Sequence, residues 1–215
     1  MGELAVRDGE TFLFIGDSIT DCGRRDAAAP FGDGYVKLVI DIVTAHWPER
    51  NITWINQGIG GNRVTDLQAR WAEDVMAHRP DWLAVKIGIN DLHSYLGGAP
   101  GGVDVATFRE TYEAILRDAV EGFSPKLVLI DPFYVARADT PDAFQQQVLK
   151  LIPEYLGAVH DMASKYGARL VQTHEAFRRQ LEHRDPDHFC PEPVHPYRNG
   201  HMVIANAVLE ALMDG

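Results

Sequence analysis

The chain has 215 residues, 46% hydrophobic and 24% charged, enough for one well-buried core and ordinary for a soluble globular protein. Its formal net charge of −11 argues against nucleic acid or an anionic membrane as partner, since both demand a positive surface. No apolar run approaches the roughly 20 residues of a membrane span. The start, Met1-Gly2-Glu3-Leu4, has neither the basic flank nor the apolar core of a secretory signal, so a cytoplasmic location is the expectation. Two cysteines, Cys22 and Cys190, are too few for a disulfide framework and read as free thiols, although both flank stretches assigned below to the site.

Five apolar, β-branched runs predict strands over Thr11–Ile15, Ile52–Asn56, Trp82–Ile87, Lys126–Asp131 and Arg169–Gln172. None alternates strictly, the pattern of strands covered on both faces. Helical periodicity fills the gaps at Gly34–His46, Thr65–His78 (capped at Thr65), Thr107–Val120, Ala143–Tyr166 (with a break expected at Pro153) and Asn199–Met213. Strands alternating with helices mean a parallel sheet with helices on both faces, in one domain spanning residues 1–215. The stretch Gly97-Gly98-Ala99-Pro100-Gly101-Gly102 reads as a surface loop and a candidate lid.

In such sheets ligands bind beyond the carboxyl ends of the strands. The first strand delivers Gly16-Asp17-Ser18, the second Asn56-Gln57-Gly58-Ile59-Gly60-Gly61-Asn62-Arg63, and the third Gly88-Ile89-Asn90-Asp91; Glu192-Pro193-Val194-His195 precedes the last helix. Acyl transfer needs a nucleophilic oxygen, a base for its proton and donors for the developing oxyanion. Ser18 fits the first role and His195 the second. The backbone N–H of Ser18, an N–H of the Gly60-Gly61 turn and the side-chain amide of Asn90 fit the third.

These blocks resemble, in order, those of the SGNH or GDSL-type hydrolase family: FIGDSITDCGR, NQGIGGN, GIND and VHPYRNGHMVIANA, spanning residues 12 to about 207. The resemblance aligns the family glycine with Gly61, Gly60 being the alternative. It implies an α/β fold: a three-layer α/β/α sandwich with a five-stranded parallel sheet, flavodoxin-like, in strand order 2-1-3-4-5. It also implies ester hydrolysis through an acyl-enzyme, without a metal or organic cofactor. Members usually carry an aspartate three residues before the histidine, where this chain has Glu192; Asp187, Asp185 or a backbone carbonyl are the other candidates for orienting His195.

Asp17, Asn62, Arg63, Asp91 and His93 are further candidates for substrate contact. Each has a plainer role: loop bracing for the two aspartates, capping or solvation for Asn62 and Arg63, and a surface position for His93. The run His183-Arg184-Asp185-Pro186-Asp187-His188 reads as an exposed loop rather than a metal site, and His201 as a packing or capping residue. No Gly-x-Ser-x-Gly elbow occurs. The expectation is a serine esterase on small acyl esters, with deacetylation of sugars or oligosaccharides ahead of thioesterase or lysophospholipase activity. A carbohydrate-binding protein that lost catalysis is the alternative of another class. The partner is then a small-molecule ester, and self-association is left open.

Overall fold

A computed structural model describes residues 2–214. In chain order its elements are β1 (Glu3–Leu4), β2 (Thr11–Gly16), α1 (Ser18–Asp21), α2 (Tyr35–His46), β3 (Thr53–Gly58), α3 (Val64–Trp71), β4 (Trp82–Lys86), α4 (Ile89–Leu96), α5 (Val105–Phe123), β5 (Lys126–Ile130), α6 (Ala143–Tyr166), β6 (Arg169–Val171), α7 (Thr173–Leu181), α8 (Arg198–Ala211) and β7 (Met213–Asp214). The apolar runs become strands because aromatic and β-branched side chains fit a sheet covered on both faces. From Phe12 to Gly16, and along all of β4, every residue is buried.

The five parallel strands lie in the order β3-β2-β4-β5-β6, which is 2-1-3-4-5 by appearance, as the family resemblance implied. α2 packs on α8, and α5 packs on α3 and α6, so helices flank the sheet in three layers. In the core Phe12 stacks on Trp82 at 5.8 Å between centroids and Phe14 meets the edge of Tyr35 at 5.9 Å. Burying each such side chain stabilises the fold by about 1.5–3 kcal/mol. β1 and β7 form a separate antiparallel ribbon that joins the two ends of the chain; strands this short leave no periodic signal.

Five helices depart from expectation. α3 starts at Val64 rather than after a Thr65 cap, because Asp66 accepts from the Arg63 N–H at 2.8 Å and Asp91 accepts from the Val64 N–H at 2.9 Å. It then widens into a π-helical turn, Ala72–Met76. α6 runs unbroken through Pro153. That residue lies on the exposed side, where water can satisfy the carbonyl it frees. α1, α4 and α7 are helical where the sequence reading placed no helix. The strand order reverses between β2 and β4, so the loops after β2, β3 and β4 share one rim.

Candidate active site

β2 ends at Gly16, where no side chain fits: a Cβ there would lie 2.3 Å from the Lys86 carbonyl oxygen. The chain turns at once into α1, capped by Asp17. Its Oδ1 accepts from the Ile19 N–H at 3.0 Å, and its carbonyl accepts from Thr20 and Asp21 at 3.1 and 2.9 Å. The Ser18 N–H is left without a partner among the described residues.

Ser18 Oγ lies 2.8 Å from His195 Nε2, and His195 Nδ1 lies 2.5 Å from Glu192 Oε1. Glu192 also accepts from the backbone N–H groups of Val194 and His195 at 3.0 and 2.8 Å. The longer acid is thus held by its own turn, and its extra methylene does not prevent contact with the ring. A proton on Nδ1, donated to Glu192, leaves Nε2 to accept from the Ser18 hydroxyl, the tautomer a general base requires. Among the described residues no other acid bonds His195; Asp185 pairs with Arg137 at 3.4 Å.

The two glycines of the second loop separate cleanly. The Gly60 N–H is taken by Asp21 Oδ2 at 3.1 Å. Gly61 has φ +79°, a conformation open chiefly to glycine, and its N–H has no partner among the described residues. Asn90 Nδ2 donates to the Asn62 carbonyl at 3.0 Å, which fixes its amide and leaves the second N–H of that nitrogen free. Gly61, Asn90 and the Ser18 N–H therefore share the rim as available donors, while Gly60 does not.

Buried polar side chains set these loops. Asp21 is buried and also receives Arg25 at 2.9 Å. Asn56 donates to the carbonyls of Thr20 and Phe31 at 2.7 and 2.8 Å and accepts from the Gly58 N–H at 2.9 Å. Asp91 binds the Val64 N–H, and burial pushes its carboxyl up to about 7. Neither Asp21 nor Asn56 had a role in the sequence reading. Their signal is a polar residue within or directly after a buried strand.

Four of the five candidate substrate contacts brace loops. Asp17 and Asp91 are 0% exposed and out of a substrate's reach. Asn62 Oδ1 is occupied by Arg70 Nε at 2.8 Å. Arg63 reaches Asp66 at 3.2 Å and the Gly101 carbonyl at 2.6 Å, tying the Gly97–Gly102 stretch to α3. His93 remains on the site side, half-buried and set edge-on between Phe144 and Tyr134, at 5.3 and 5.7 Å. Burial holds its ring below the usual histidine range, against the pull of Glu192.

Cys22 and Cys190 are free, and burial pushes each thiol up to about 12. His201 Nδ1 accepts from the Tyr35 N–H at 3.2 Å, so its proton sits on Nε2, which faces Cys22 Sγ at 3.5 Å. It cannot act as a base for that thiol, and burial pushes its ring down to about 4. Among the described residues no three His, Cys, Asp or Glu are placed to hold a metal ion, and no helix is long and apolar enough to cross a membrane. Beside Glu192 opens a cavity of about 450 Å³, with Arg137, Thr140, Gln145 and Asp187 among its lining.

The profile of the GDSL-like lipase/acylhydrolase family matches residues 14–203. An acetylxylan esterase of Geobacillus stearothermophilus is 36% identical over 217 residues, covering 97% of this chain and 96% of that protein. The crystal structure of Axe2, an acetylxylan esterase from the same organism, superposes with a TM-score of 0.89 at 32% identity, covering 99% and 98% of the two chains. LAE5, described as an α/β hydrolase from the metagenome of Lake Arreo, Spain, superposes with a TM-score of 0.87 at 31% identity, covering 98% of each. Matched along nearly its whole length, the chain belongs to the GDSL-like lipase/acylhydrolase family and is a carboxylic ester hydrolase.

Proposed function

We propose that the protein removes acetyl groups from sugars or xylo-oligosaccharides through an acyl-enzyme on Ser18. The observation that carries this reading is the unbroken relay from Ser18 Oγ through His195 to Glu192, at 2.8 and 2.5 Å, beside three available donors. Ser18 attacks the ester carbonyl as His195 Nε2 takes its proton. The oxyanion is met by the N–H groups of Ser18 and Gly61 and by the Asn90 amide. His195 then hands the proton to the leaving sugar oxygen, and water repeats the sequence to release acetate.

The acetylxylan esterases among the relatives support the acetyl group and the sugar. In the mixed lining of the cavity beside Glu192, Arg137, Thr140, Gln145 and Asp187 offer hydrogen-bond partners for the hydroxyls of a sugar-like alcohol. A carbohydrate-binding protein has no use for the complete relay. Initial rates on acetyl, butyryl and decanoyl esters, and on acetylated xylo-oligosaccharides, test the proposal. The acetyl esters are expected to be fastest; a maximum at decanoyl would refute it.

A further inference from the structure

One buried charge plays no part in the mechanism above. Lys86, at the end of β4, is 0% exposed, and its Nζ makes no hydrogen bond among the described residues. Among the described residues the nearest anion is Asp17 Oδ2 at 3.9 Å, itself fully buried and without a hydrogen-bond partner. The groups facing the ammonium come from several elements: Asp17 from the β2–α1 turn, Asp131 from the end of β5, the Phe133 ring at 4.8 Å, and His201 from α8. Asp131 is already satisfied by Thr173, by the His174 N–H and by His160, at 2.8, 3.2 and 3.1 Å. Asp17, faced also by Asp91 and Tyr35, is the anion with an oxygen to spare. Burial pulls the ammonium below the usual lysine range, and the two carboxylates pull it back.

The position of Asp17 gives this pair a consequence. Its carboxylate belongs to the residue immediately before Ser18, whose N–H is an oxyanion donor, and caps the same turn at the Ile19 N–H. A bare anion there would oppose the negative charge that forms in the transition state. We propose that Lys86 is a positioning residue for the oxyanion site, holding the Asp17 carboxylate on the sheet side and cancelling its charge, so that the oxyanion forms beside a neutral pair. The inference rests on the reading of Ser18 as nucleophile.

The test uses wild type, Lys86→Met, and Lys86→Met combined with Asp17→Asn, where asparagine keeps the cap without the charge. Each is assayed at about pH 8 on p-nitrophenyl acetate and for inhibition by phenylboronic acid. In the inhibited enzyme the Ser18 oxygen adds to boron and its proton passes to His195, leaving a tetrahedral boronate anion at the reacting position. For Lys86→Met at pH 8, kcat is expected to fall, and the boronate inhibition constant to rise, by about ten- to a hundredfold. KM should stay within about twofold, because the bound ester is neutral.

The double variant is expected to regain boronate affinity and kcat. A deficit shared by the double variant, or mirrored in KM, would overturn the inference in favour of a packing role. Should Lys86→Met fail to fold, a folded, boronate-binding double variant would support the inference, and one that also fails to fold would overturn it. Wild type that ignores phenylboronic acid would instead overturn the reading of Ser18, and the inference with it.

Discussion

The two halves of the site are built on opposite principles. The half carrying Ser18, Gly61 and Asn90 stands on buried side chains far apart in sequence: Asp17, Asp21, Asn56 and Asp91 each bind backbone within or beneath these loops, and all are buried. The half carrying His195 and Glu192 is exposed, with side chains 59% and 47% accessible, and its bonds run within one four-residue turn. Two longer bonds hold that turn, from the Val135 N–H to the Pro193 carbonyl at 2.9 Å and from the Tyr197 N–H to the Phe189 carbonyl at 2.7 Å. The donors for the oxyanion are thus fixed in advance by desolvated contacts, while the base is placed by local geometry in water. Damage to the first half should cost stability and activity together; damage to the second should cost activity alone.

The largest effect should come from Ser18→Ala, which removes the nucleophile and is expected to lower kcat by about 10⁴-fold or more with the fold intact by circular dichroism. Asn90→Ala is next, with an expected loss of about 10²–10³ in kcat and little change in KM, the signature of a donor used mainly in the transition state. Glu192→Ala should lower kcat by about 10–100-fold without lowering the denaturant midpoint, since its partners are all in one exposed turn. A loss well under tenfold would remove Glu192 from the mechanism. Asp21→Ala breaks the comparison the other way: it strands the Gly60 N–H and should cost about 1–3 kcal/mol in urea unfolding, with a fall in kcat alongside.

The smallest effect concerns acid stability. His201 titrates near 4 when folded, against an ordinary value near 6.5. Between those values the unfolded chain binds the proton and the folded one resists it, so this stabilisation is present above about pH 6.5 and lost as pH falls toward 4. His201→Gln should therefore reduce the stability lost between pH 7 and 5 by on the order of 1–2 kcal/mol in urea unfolding. No change in that difference would contradict the buried neutral ring.

The same contrast explains how much could be read from the residues. Strands buried on both faces announce themselves as apolar runs, and Trp82–Lys86 and Thr11–Gly16 lie where the pattern put them, to within a residue. Ser18, Asn90 and His195 were visible because each follows a strand or precedes a helix in a recognisable block, and the structure brings Ser18 and His195 into contact. The choice between Gly60 and Gly61 was not legible, since it depends on which N–H Asp21 captures across 39 positions. Nor was Glu192 over Asp185 and Asp187, because three acids on one irregular segment differ only in how the turn closes. The helices α1, α4 and α7 left little signal: α1 has only four residues, α4 starts at Gly88 without a side-chain cap, and α7 buries only Thr173, Ala176 and Phe177. A lysine closing the otherwise apolar Trp82–Lys86 run was the visible trace of the buried pair with Asp17.

The central claim is that Ser18 becomes acylated with His195 as its base, and covalent trapping tests it most directly. Wild type and His195→Ala are treated with a fluorophosphonate at neutral pH, then digested and mapped by mass spectrometry. The account predicts a single phosphonyl adduct on the peptide containing Ser18 in wild type, and labelling slowed by about 10³-fold or more without His195. An adduct on another residue, or equal labelling in the two proteins, would contradict it.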